Sequence, residues 1–383
     1  MPPPPRPRHP PPLLPLLRAL APSPPPAASS FLNPSRPMDP VPHDSSSASS
    51  AGAAAGAPPP AVAAGLGTAS NPAAAPSTGI NTTAPPPPPP PPLVWLITDG
   101  ASATGVDLAR EVLARGHRVA LGCRAEVPPA SLSALRAEHG PDYVLVLELD
   151  PRNRPLCQSA LAQVQLVWRR VDVVVLCGAA RSVVGTLEES SEWHLREQFE
   201  ASFYGPVNLI TTFLPTLRRQ LAGHVVCVTG ITGQMGTPAL GLVSAAAHAL
   251  EGYLEALAFE VAPFNVKVSI VQPSLEASVL SAPVAFTKQL EHYKNTVSAT
   301  VRAMLSCTDL APELLVKDTV YAITSIAGID NPPLRIVAGA EAIEQTRDKL
   351  RTVSEEMEDM LEVSYAADAD PLTEAQRREL AGE

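Results

Sequence analysis

The chain has 383 residues, a net charge of −10 and only 4% aromatic residues. It has no basic stripe interleaved with aromatics, which argues against nucleic-acid binding. Its five cysteines form no C-x-x-C pair and have no histidine at ligand spacing. A zinc site, any other metal site or a disulfide framework is therefore not expected, and no apolar run reaches the roughly 18–20 residues of a membrane span.

Residues 1–92 hold two-thirds of the 45 prolines, in a background of Ala, Ser and Gly. Such a segment buries too little apolar surface to offset its ordering entropy, so a disordered tail is expected. It ends in eight consecutive prolines, 85–92, which read as a stiff polyproline II spacer. Arg6, Arg8, Arg18 and Arg36 precede any acidic residue. That pattern leaves a mitochondrial transit peptide as the alternative to a cytoplasmic chain, and the proline density opposes the helix such a peptide forms.

From residue 93 the composition changes. Seven short apolar runs follow: 93–98, 118–123, 143–149, 171–177, 224–230, 266–272 and 334–339. They are rich in Val, Ile and Leu and lack polar alternation, as strands buried on both faces do. Helical patterns separate them at 105–116, 155–169, 190–220, 240–262 and 312–328, and a charged helix closes the sequence at about 341–362. Alternating β and α elements predict an α/β, Rossmann-type, doubly wound parallel sheet over 93–361, followed by a flexible tail at 362–383.

The first strand runs into "ITDGASATGVDLAREVLARGH". A Gly-rich turn opening a helix is where a dinucleotide pyrophosphate docks, because the backbone comes close and the helix N-terminus favours anions. The order of these elements, with "AREVLARGHRVALGCR", "QFEASFYGPVN" and "ALEGYLEALAFE", resembles the short-chain dehydrogenase/reductase family. In pattern it is closest to retinol and 17β-hydroxysteroid dehydrogenases.

That resemblance implies a cofactor site at Thr98, Gly100, Ser102, Ala103, Gly105, Arg124, Asp150, Cys177, Gly178, Ala179, Pro273 and Ser278. Asp99 falls where the family has a glycine, at a cost in turn geometry and charge. Arg124, in place of an acid after the second strand, favours the 2′-phosphate of NADP(H). Residues 283–305 take the place of the family's substrate-lid helix.

The resemblance also locates the catalytic positions. The family's Asn, Ser, Tyr and Lys fall on Ser202, Gly230, Val243 and Ala247. Its Tyr and Lys must lie i, i+4 to share a helix face and pass a proton, and neither is present. Thr229 and Thr232 are placed to hydrogen-bond a carbonyl, and Ser244 with His248 is the other candidate substitute, although these two read first as ordinary helix-surface or interface residues. Tyr204 and Tyr253 read as packing residues.

The expectation is a member without the usual catalytic groups that binds NADP(H) or a metabolite in a regulatory or partner-subunit role. The alternative is an NADP(H)-dependent oxidoreductase with a non-standard site, acting on a small apolar carbonyl or alcohol of retinoid, steroid, lipid or secondary-metabolite type. Helices 190–220 and 240–262 are the expected interface of a homodimer or of a dimer with a related chain.

Overall fold

The computed structural model describes residues 91–125, 127–177, 181–306, 316–361 and 364. The tail over 1–90, Gly178, Ala179, Cys307 and the end of the chain lie outside the described residues.

Seven parallel strands form the sheet: β1 (Val94–Ile97), β2 (Arg118–Cys123), β3 (Val144–Glu148), β4 (Val173–Leu176), β6 (Gly223–Val228), β7 (Val266–Pro273) and β9 (Arg335–Ala338). Their order is β3-β2-β1-β4-β6-β7-β9. Strand order reverses between β1 and β4, and such a switch point opens a crevice at the carboxyl ends of the strands. All seven strands coincide with the apolar runs in the sequence.

Both faces of the sheet are covered. On one side α3 (Arg154–Trp168), α5 (Gly205–Gln220) and α6 (Gly241–Val261) pack Phe213, Leu209, Leu217, Leu250 and Leu254 against Leu96, Val174 and Ile270. On the other side α1 (Ala103–Ala114) and α9 (Lys317–Ile326) bring Leu108, Val112 and Ile323 onto Ile97, Val119 and Val175. Phe213 is 1% exposed, and burying a side chain of that size contributes about 2–3 kcal/mol.

Several elements differ from the sequence reading. A helix, α2 (Ala130–His139), lies where none is expected. The 190–220 stretch is not one helix. It is α4 (Glu192–Phe199), one π-helical turn (Glu200–Tyr204) and α5, and such π turns concentrate at functional sites. Residues 283–305 are not one lid helix either. Strand β8 (Val284–Phe286) pairs in parallel with β5 (Ser182–Val184), and only α8 (Val297–Ser306) is helical. The short helix α7 (Leu275–Leu280) follows β7, and α10 (Ala340–Asp359) closes the described fold. Tyr204, although half-exposed, and Tyr253 both pack edge-on against Phe203.

Candidate functional site

The carboxyl ends of β4, β6 and β7 open onto a cleft. The positions expected from the sequence converge here: Ser202, Thr229, Thr232, Val243, Ala247, Pro273 and Ser278 all line it. Thr104, Ser182, Ser281 and Thr319 join them, and none of these four stands out in the sequence. The neighbouring Gly178 and Ala179 lie outside the described residues.

Gly230 is held in a conformation that suits glycine. Its φ of 78° and ψ of 170° fall in a region that is essentially glycine's alone and costs a side-chain-bearing residue about 1–3 kcal/mol. A β-carbon there would also sit 2.5 Å from the Ser278 Cβ. Ser278, brought in by α7, fills the space beside Gly230, and its hydroxyl donates to the Leu275 carbonyl at 3.0 Å.

Val243 and Ala247 are buried on the cleft side of α6, 8% and 6% exposed. Val243 belongs to an apolar cluster with Val184, Ile231, Leu240 and Leu275. The substitutes offered by the sequence are occupied elsewhere. The Thr229 hydroxyl donates to Glu251 Oε1 at 2.6 Å. Glu251 is itself buried and held by Gln272 Nε2 at 2.8 Å and Arg335 at 3.1 Å. Thr232 donates to the Thr229 carbonyl at 3.2 Å. Ser244 is buried, not a surface residue, and accepts from the Thr237 N–H. His248 is exposed, with Nδ1 2.8 Å from the Ser244 carbonyl. Neither Ser244 nor His248 lines the cleft.

Among the described residues that line it there is no Asp, Glu, Lys, Arg, His or Tyr. Burial pushes the Cys177 and Cys227 thiols far above their ordinary range. The chemistry of the walls is thus hydroxyl and aliphatic. Ser202 accepts from Gln198 Nε2 at 2.7 Å, and Gln198 in turn holds the Val183 N–H. The Ser182 hydroxyl is 1% exposed and has no hydrogen-bond partner among the described residues. A buried orphan hydroxyl costs about 1–3 kcal/mol unless a ligand or water completes it.

A second groove lies beside it at the ends of β1, β2 and β3. Thr98 Oγ1 accepts from the Cys177 N–H and ties β1 to β4. Ser102 caps α1, accepting from the Gly105 N–H at 3.0 Å and donating to the Asp99 carbonyl at 2.7 Å. Gly105 is obligatory, because a β-carbon there would meet the Asp99 carbonyl oxygen at 2.2 Å. Gly100 donates its N–H to Gly122 at 2.8 Å and keeps the turn tight beside Asp99. Ala103 opens α1.

Asp99 is the departure from the pattern, and it faces Arg124 at 3.4 Å. Burial raises its carboxyl above the ordinary value, and Asp150 adds to this against the pull of Arg124. Burial also works to raise Asp150, but Arg152, bound at 2.7 Å, outweighs it and holds Asp150 below the ordinary carboxylate value. Arg152 bridges on to Glu197 at 3.0 Å. Among the described residues no group of three His, Cys, Asp or Glu side chains comes together to hold a metal. No described helix is long and apolar enough to cross a membrane.

Known proteins share this frame. The family model for short chain dehydrogenase matches residues 93–289. Human retinol dehydrogenase 8 is 26% identical over 254 residues, which cover 63% of this chain and 79% of that protein. A short-chain dehydrogenase from Streptomyces avermitilis matches with a TM-score of 0.63 at 29% identity, over 72% of this chain and 98% of that one. A Burkholderia cenocepacia short-chain dehydrogenase in complex with NADP shares the fold at a TM-score of 0.51 and 20% identity, over 73% of this chain and 98% of that one. With more than half its length under the family model, the chain belongs to the short-chain dehydrogenase family.

Proposed function

We propose that this protein binds a nicotinamide cofactor, NADP(H), together with a small uncharged carbonyl or alcohol ligand, and serves as a regulatory or partner subunit without ordinary hydride-transfer turnover. The observation that carries the reading is the cleft wall. Where a family member needs a proton donor, Val243 and Ala247 supply none, and the remaining hydroxyls are far too weakly acidic to act as general acids near neutral pH. The orphan Ser182 hydroxyl supports an uncharged hydrogen-bonding ligand, since no described lining side chain would balance a formal charge.

The second groove fits the nucleoside half of the cofactor. Asp150 and Asp99 offer acceptors for sugar hydroxyls, and Arg124 and Arg152 offer cations. Cofactor bound there supplies a hydride donor or acceptor at the cleft. Arg124 favours the 2′-phosphate of NADP(H), and Asp99 opposes it. Four buried free thiols support a reducing compartment such as the cytoplasm. Exposed Trp193, Leu195, Tyr204 and Phe259 on and between α4 and α6 support a dimer through those helices.

A second reading, an NADP(H)-dependent oxidoreductase with a non-standard site, is favoured by one observation: Ser278 carries a hydroxyl into the space beside Gly230. Calorimetric titration with NADPH, beside turnover assays on retinoid- and steroid-like carbonyls, separates the two. Binding without turnover supports the first and turnover supports the second.

A further inference from the structure

The helix α10 (Ala340–Asp359) docks only through its beginning. Ala342, Gln345 and Thr346 are buried against the domain. From Leu350 onward every described residue is exposed. Yet this outlying stretch is not polar. Leu350, Val353, Met357 and Met360 are 61%, 44%, 60% and 58% exposed, and Leu361 follows at 39%.

Their spacing is +3, +4, +3, and stepping back by the same rule reaches Thr346 and Ile343. That is the a/d seam of a heptad repeat running from Ile343 to Met360, the pattern that packs one helix against another. Four large apolar side chains in one stripe are not the scattered surface residues any soluble protein tolerates.

The charges along the helix identify the partner. The stretch 347–351 carries Arg347, Lys349 and Arg351 against one acid, Asp348, whereas 355–359 carries Glu355, Glu356, Glu358 and Asp359 and no base. For an isolated helix this polarity is unfavourable, because acids crowd the C-terminal end where the macrodipole is already negative. The ion pairs within the helix, Arg351 with Asp348 at 3.1 Å and with Glu355 at 3.7 Å, are exposed and contribute little.

An antiparallel copy of the same helix removes the conflict. It sets the basic half of each helix beside the acidic half of the other and opposes the two dipoles. A parallel copy would set like charges together. The net acidity of the free end also disfavours an anionic membrane surface. We propose that α10 pairs antiparallel with α10 of a second copy of this chain, through Leu350, Val353, Met357 and Met360. This contact is separate from the α4 and α6 helices.

The test uses the full chain in sedimentation equilibrium. Every substituted position is exposed except the half-buried Lys349, so the fold should persist, and circular dichroism checks it. Leu350→Glu with Met357→Glu should weaken one association step by at least about tenfold, since it removes the apolar burial at the seam. Replacing Arg347, Lys349 and Arg351 by Glu should do the same, and high salt should reduce that difference.

Orientation is read by nitroxide labels on Ser354→Cys and, separately, Leu361→Cys, with the unsubstituted chain as control. In an antiparallel pair the distance between the two copies' labels is longer at 361 than at 354, by about 10–15 Å at 1.5 Å per residue and about 10 Å between the axes. A monomeric parent chain, unchanged association of the Leu350/Met357 variant, equal label distances, or binding of α10 to anionic vesicles in place of self-association would each overturn the proposal.

Discussion

Gly230 and Ser278 compete for one space: a β-carbon on Gly230 would stand 2.5 Å from the Ser278 Cβ and 2.6 Å from its Oγ. A serine therefore cannot simply be written in at position 230. The positive φ of Gly230 and the arrival of α7 fit one another.

Gly230→Ser should cost about 2–4 kcal/mol, the sum of backbone strain and steric overlap with Ser278. Adding Ser278→Gly should recover the overlap part and leave the strain. Thermal or urea unfolding of the single and double variants measures both. If Gly230→Ser unfolds with the stability of the parent, the competition for space is wrong.

Asp99 should govern nucleotide affinity. Its folded-state pKa lies above the ordinary value, mainly through burial. The charged form is therefore disfavoured by folding, and the contribution of this group to stability improves as pH falls through its folded pKa. Asp99→Asn should stabilise the protein at neutral pH and tighten NADPH binding by roughly tenfold through loss of repulsion beside Arg124. It should also flatten the pH dependence of binding, which calorimetry at several pH values reads directly.

His224 supplies an acid-sensitive element far from the cleft. It is 4% exposed, contacts Ser269 Oγ at 3.0 Å, and its pKa is lowered by burial from 6.5 to about 4. The unfolded chain takes up this proton first as pH falls. Stability is then lost between pH 6.5 and 4, by about 3 kcal/mol for this group alone. His224→Gln should be less stable at neutral pH but should lose that part of the slope in urea unfolding measured across the range.

Much of the fold is legible in the sequence because a doubly wound sheet writes each strand as an uninterrupted Val- and Ile-rich run. The pair β5 and β8 is not legible. Three residues each, "SVV" and "VAF", are too short to show any period. The π turn at Glu200–Tyr204 leaves no mark on helical spacing either. At the site, the resemblance alone assigns Val243 and Ala247 to the catalytic positions, and the structure adds that both line the cleft. What the sequence hides is partnership across distance. Thr229 is bound to Glu251, 22 positions on, and Ser278 crowds Gly230 from 48 positions away. Asp99 reads as a fault in a glycine turn. Only its position opposite Arg124 makes it a candidate for setting nucleotide preference.

Val243→Tyr with Ala247→Lys puts a proton donor and its cation back on one helix face without disturbing Gly230. Both side chains would point into the cleft that Val243 and Ala247 already line. A measurable NADPH-dependent turnover of a retinoid- or steroid-like carbonyl is expected from this variant, at a rate below that of an intact family member because Gly230 remains.

The central claim is tested most directly by titrating the unsubstituted protein with NADPH and, on the same sample, following NADPH oxidation with a panel of apolar carbonyls. Saturable binding with oxidation at the background rate is the predicted result. Carbonyl-dependent oxidation that disappears in the Ser278→Ala variant would contradict it and assign the reaction to this cleft.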